Sequence, residues 1–112
     1  MNDRDFAHFE SMYKFAKRIQ RRIEDVSLET FLADDDLQDS VLYAIGHIGE
    51  NANDISEETR DMHHDILWNA LIGIRNRVFH SYEDVDMRIV YKATKEHTPK
   101  LIEQLERITG AS

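Results

Sequence analysis

Residues 68–82 read WNALIGIRNRVFHSY, and this segment breaks the pattern that the rest of the chain keeps. At about 100° per residue, Trp68, Leu71, Ile72, Val78 and Phe79 fall on one side of a helix, and Arg75 projects from the middle of that stripe. Tyr82, seven residues past Arg75, shares its direction, while Asn76 and His80 line the adjoining flank. A cation centred on an apolar face must be paired, held at an interface or open to a ligand. Left buried and alone, it would cost on the order of several kcal/mol.

On either side of this segment the spacing predicts more helices. Asn2 or Asp3 caps a first helix, whose seam is Phe9, Met12, Ala16, Ile19, Ile23 and Val26. Its back carries Lys14, Lys17, Arg18, Arg21 and Arg22, either a phosphate- or partner-docking face or a solvated surface with Glu10 near Lys14. Ser27 to Ala33 reads as a short turn or helical piece. Asp34, Asp35 and Asp36 then open a second long helix at its positive end, with a stripe of Leu37, Val41, Ala44, Ile45, Ile48, Ala52 and Ile55 that Leu42 and Tyr43 widen. Gly46 and Gly49 in this helix let a neighbour come close, and Glu50 is either a surface acid or the partner of a cation on another helix. Ser56 caps a short helix, and Asp86 caps a last one whose Pro99 predicts a kink or break near His97 and whose Gly110 suits a stop. The expectation is an all-α, up-and-down bundle of four to five helices, homodimeric, forming one domain over residues 1–112.

The chain has 112 residues, no cysteine and a formal charge of −8. Its polar N-terminus and the lack of a long apolar run predict a cytoplasmic protein with no membrane contact. The charge is uneven. Residues 1–22 carry six basic and three acidic groups, residues 24–65 hold thirteen acids against Arg60 alone, and the remainder is near neutral. Any nucleic-acid contact must therefore use a local patch.

Several chemistries fit poorly. His63, His64 and Asp65 cluster, and His47, His80 and His97 lie apart, but none has the paired spacing of a helical zinc site, so no metal and no cofactor are expected. Ser81 beside His80 lacks the strand–turn–helix elbow of a nucleophilic serine, and no glycine-rich phosphate loop is present. Arg75, Asn76, His80 and Tyr82 match one task better. Cleaving RNA through its own 2′-hydroxyl needs proton transfers, which suit histidine, and a permanent cation against the phosphorane, which suits arginine. Yet five helical residues set Arg75 and His80 roughly 140° apart. Either the helix loosens before His80, or a second copy meets the first across a two-fold axis. A plainer account is a structural arginine paired with an acid such as Glu50.

The run IRNRVFHSYEDVD, Ile74 to Asp86, resembles the motif region of HepT-like proteins, minimal members of the HEPN superfamily. Their R-x4-H-x-Y pattern is met by Arg75, His80 and Tyr82, with Asn76 as the polar residue after the arginine. Ile48, Gly49, Glu50 and Ala52 resemble the family's I-G-E-A segment, with Asn51 as an interruption, and Trp68 lies where its tryptophan precedes the motif, without the usual proline before it. The resemblance implies a homodimeric, metal-independent endoribonuclease toxin acting on RNA and not DNA, with a composite site at the dimer interface. It implies Arg75 as phosphorane stabiliser, His80 as acid/base, Asn76 as orienting group, and Glu50 and Arg77 as supporting candidates. It further implies a MntA-like nucleotidyltransferase antitoxin that silences the toxin by transferring AMP to Tyr82. The alternatives are a non-catalytic helical module that binds such a transferase and, with less behind it, a phosphotransfer bundle using His47.

Overall fold

The computed structural model describes residues 1–111. Six α-helices run along them: α1 (Asp3–Ile23), α2 (Leu28–Leu32), α3 (Asp35–Asp54), α4 (Glu57–Met62), α5 (Trp68–His80) and α6 (Met87–Thr109), with a 3-10 turn at Tyr82–Asp84. Four are long, and α2 and α4 are short connectors. The starts follow local chemistry: Asn2, Asp34, Ser56 and Asp86 each accept a hydrogen bond from an otherwise unpartnered backbone N–H of the first turn. Gly110 ends α6 in the left-handed region at φ 76°.

The long helices pack in the row α5, α3, α1, α6, so α3 and α1 are central. Phe9, Met12, Ala16 and Ile19 of α1 meet Val41, Ala44, Ile48 and Ala52 of α3 in the core, with Ile102 and Leu105 from α6. The row does not close on itself. Between α5 and α6 lies an apolar cleft of about 280 Å³, lined by Leu67, Leu71, Ile74, Val78 and Ile89 among others.

Three expectations are corrected, and one, at Pro99, is narrowed. The first helix ends at Ile23 and leaves Val26 outside, because Asp25 takes φ 58°. There α6 supplies the missing donors: Lys95 Nζ donates to the Ile23 carbonyl at 2.7 Å, and the Tyr91 hydroxyl donates to that of Val26 at 2.6 Å. Pro99 does not break α6, which stays helical across it. An interior proline costs about 3 kcal/mol, but the helix buries Ile102 and Leu105, each worth roughly 1.5–3 kcal/mol, so packing prevails. Tyr43 meets the Phe15 ring of α1 edge-on at 6.2 Å but stays 56% exposed, and Phe79, expected inward, lies over Gly46 and is 47% exposed.

The α1 and α4 N-termini are joined by one carboxylate. Asp5 is buried and accepts from the Ser56 amide at 3.1 Å, the Ser56 hydroxyl at 2.6 Å and the Thr59 hydroxyl at 2.6 Å. Burial pushes its pKa up, but these hydrogen bonds outweigh that and hold it at about 2, against an ordinary 3.8. A depressed carboxylate pKa stabilises the fold above the ordinary value, and the contribution disappears as pH falls through about 2. In thermal melts at neutral pH, Asp5→Ala should lose roughly 5–15 °C, as expected for buried hydrogen bonds to a charge. The gap from wild type should narrow as pH falls from 4 towards 2; a gap that stays constant over that range would rule out the ionised carboxylate as its source.

Candidate functional site

The site begins at a close approach between α3 and α5. A Cβ built on Gly49 would overlap the Cβ of Arg75 and lie 2.6 Å from the Leu71 carbonyl oxygen, so only glycine admits α5 at this distance. The contact seats the Arg75 stem on α3, where Arg75 Nε donates to Glu50 Oε2 at 2.7 Å. The pair is not internal, since 23% of the arginine side chain and 38% of the glutamate side chain remain exposed. Arg75 Nη1 donates to Asn76 Oδ1 at 2.6 Å, and the guanidinium carbon lies 5.5 Å from the centre of the Phe79 ring. Nη2 has no partner among the described residues, leaving a fork of donors at the surface.

The other predicted residues fall into two groups. Asn76 and His80 are exposed, one turn apart on the flank towards which the Arg75 guanidinium bends. Helix α5 continues through His80, so the helix does not loosen there, and the separation of roughly 140° between Arg75 and His80 persists within one chain. Arg77 does not join this group: it lines the α5–α6 cleft on the other side of the helix, with apolar neighbours. Glu50, left open between surface acid and cation partner, is the partner. Among the described residues, no three His, Asp or Glu side chains converge as a metal ion would require. None of the helices described is long and apolar enough to cross a membrane.

Tyr82 opens the 3-10 turn directly after α5 and is 44% exposed. Its hydroxyl donates to Asp39 of α3, a partner that no local pattern reveals, because the two are 43 residues apart with no shared motif. The bond to Asp39 raises the phenol pKa, desolvation adds to this, and the Asp39 and Asp35 charges add further, pushing it up to about 12. The phenol is thus protonated at neutral pH, with a carboxylate ready to accept its proton.

Two measurements test this geometry. Gly49→Ala should destabilise the fold by about 1–3 kcal/mol in urea titration, the usual cost of overpacking, although alanine is normally the better helix former; a stabilised variant would contradict the close approach. In ultraviolet titration, Asp39→Asn should lower the ionisation of Tyr82 from about 12 towards the ordinary 10. A raised pKa adds stability at neutral pH that is lost as pH climbs through it, so wild type should also lose its stability advantage over Asp39→Asn above pH 10. An unchanged phenol titration would remove Asp39 as the cause.

The profile of the family described as Ribonuclease HepT-like matches residues 12–108. A protein of Thermococcus cleftensis named "Probable ribonuclease HepT" is 28% identical over 101 residues, covering 90% of this chain and 92% of its own length. A protein of Caldanaerobacter subterraneus subsp. tengcongensis, named as a candidate RNase, is 28% identical over 87 residues, which is 78% of each chain. Another named in the same way, from Methanocaldococcus jannaschii, is 26% identical over 83 residues, 74% of this chain and 76% of its own. No solved structure matches the chain. With the family profile running from Met12 within α1 to Ile108 of α6 and including the Arg75–Tyr82 segment, the chain belongs to the HepT-like ribonuclease family.

Proposed function

We propose that this chain is the toxin of a toxin–antitoxin pair: a metal-independent endoribonuclease, acting in the cytoplasm, whose site is completed by a second copy. The observation that carries this is the Arg75 guanidinium, steadied by Glu50 and Asn76 yet left with free donors at the surface beside exposed His80. An arginine that served only to neutralise an acid would not need Asn76 to aim it outward.

The chemistry follows from those groups. One imidazole takes the proton of the RNA 2′-hydroxyl, whose oxygen attacks the adjacent phosphorus; the 5′-oxygen leaves with a proton from an imidazolium, giving a 2′,3′-cyclic phosphate and a 5′-hydroxyl. Arg75 offers its fork to the phosphorane oxygens, where charge accumulates. Bringing one imidazole and one guanidinium onto the same phosphate requires the His80 of one copy and the Arg75 of the other, since the two diverge along a single helix. A homodimer that faces the two α5 segments across a two-fold axis supplies both.

The partner in this proposal is a MntA-like nucleotidyltransferase that moves AMP from a nucleotide to the Tyr82 oxygen. The Asp39 carboxylate is positioned to take the phenol proton as that oxygen attacks the α-phosphate and pyrophosphate leaves. An adenylylated Tyr82 would bring a phosphate towards the Arg75 surface and compete with substrate. One observation favours a non-catalytic module that only binds the transferase: the formal charge of −8, which weakens attraction to RNA.

Induced expression of wild type should arrest growth and purified protein should cleave single-stranded RNA, whereas Arg75→Ala and His80→Ala should each lose about a hundredfold or more in rate. Variants that cleave as fast as wild type would refute the assignment. RNA left intact by wild type that still retains the transferase would favour the binding module. Coexpression with the transferase should raise the intact mass by whole AMP units in wild type but not in Tyr82→Phe; the same increase in that variant would move the modification elsewhere.

A further inference from the structure

Beside the Arg75 surface, the three helices α1, α3 and α5 share a run of rings and guanidiniums along the edge of the core, against which Phe15 also packs. Arg18 lies with its guanidinium carbon 4.9 Å from the centre of the Phe15 ring. Phe15 stacks on His47 at 5.1 Å with 15° between the planes, and Tyr43 meets the same imidazole at 4.4 Å. His47 in turn meets Phe79 edge-on at 6.5 Å, and Phe79 carries the Arg75 guanidinium. Contacts therefore run unbroken from Arg18 to Arg75 across two helix spacings, roughly 16–20 Å. At the outer end, Arg18, Arg21 and Arg22 surround a shallow depression with Leu37.

Two features point outward. Tyr43 and Phe79 are 56% and 47% exposed, so both rings are partly open to a ligand, that of Phe79 with the Arg75 guanidinium already over it. Moreover, none of Arg18, Arg21 and Arg22 forms an ion pair among the described residues, although the chain carries 22 acids against 14 basic groups. Most basic groups among the described residues lack an ion pair, so what sets these three apart is their grouping: three guanidiniums around one depression present a local positive field to an external polyanion.

We propose that Arg18, Arg21, Arg22, Phe15, Tyr43 and His47 form a track that feeds single-stranded RNA to Arg75 and His80, a proposal that rests on the ribonuclease function above. Guanidiniums at the α1 end hold backbone phosphates, and the exposed Tyr43 ring, backed by the stacked Phe15 and His47, takes a base, which every base allows regardless of sequence. A duplex would not use these rings, because its bases are already stacked on one another. At the α1 end a second copy of the chain fits less well, since a two-fold there would set Arg18, Arg21 and Arg22 against their own copies with no anion between them, whereas the proposed dimer meets at α5.

The test separates binding from cleavage. A fluorescently labelled 2′-O-methyl oligouridine has no attacking hydroxyl, so its anisotropy with the protein reads binding alone. Tyr43→Leu, at an exposed position that should leave the circular dichroism unchanged, should weaken binding by roughly five- to a hundredfold. Arg18→Gln combined with Arg22→Gln should flatten the salt dependence of binding by about 0.7 in slope per arginine. Equal affinity and equal slopes in wild type and variants would overturn the track, as would sedimentation in which Tyr43→Leu splits a wild-type dimer that binds no oligouridine. Cleavage of an all-ribose strand by wild type is scored independently. Cleavage without any effect of these variants on binding defeats the track and spares the nuclease; the expected losses of binding without any wild-type cleavage uphold the track and defeat the nuclease.

Discussion

Everything at the candidate site depends on how near α5 comes to α3. At Gly49 the two helices touch where a single methyl group would collide with both a side chain and a backbone carbonyl. Interiors packed as tightly as crystals give little room for such a group to be absorbed. Because the stem of Arg75 is pinned there, its guanidinium reaches Glu50 one residue along α3 and bends towards Asn76 on its own helix. A longer separation would leave the cation to wander in solvent, and a buried one would hold it for its acid alone. The same closeness recurs one turn earlier in α3, where the Phe79 ring occupies the space that Gly46 leaves open.

The row of helices divides the molecule into two faces with different characters. One side of α5 borders the apolar cleft shared with α6, where Arg77 is the basic exception contributed by that helix. The other side, continuous with α3 and α1, gathers Arg75, Phe79, His47, Tyr43, Phe15 and Arg18. The acidic excess of the chain does not extend to the basic α1 end of this strip, which is how a protein of charge −8 can still present a site for an anion. The apolar cleft and the Arg75 group thus lie on opposite sides of one helix.

Much of this was legible locally. Asn2, Asp34, Ser56, Asp86 and Gly110 mark helix ends by side-chain and backbone chemistry that acts within a few residues. Gly46 and Gly49 announced a close neighbour, and the misplaced Arg75 announced a site. What stayed hidden is what only the folded chain brings together. Glu50 could have been a surface acid until α5 was seen to cross it, and nothing near Asp39 hints that it holds Tyr82. Periodicity gave Tyr43 and Phe79 an inward direction, but it counts apolar residues without knowing how many neighbours exist to cover them. At Pro99 the break does not occur, because the local penalty is real but the burial along α6 is larger.

The central claim is that Arg75 and His80 act on one phosphate only because two copies contribute them. Arg75→Ala and His80→Ala proteins, each inactive alone, can be mixed under conditions that allow subunits to exchange. If the site is shared between copies, half the dimers become mixed and carry one complete Arg75–His80 pair out of two, so RNA cleavage should return to about a quarter of the wild-type rate. If the mixture stays as inactive as its two components once mass spectrometry has verified mixed dimers, each copy must work with its own pair, and the account is contradicted.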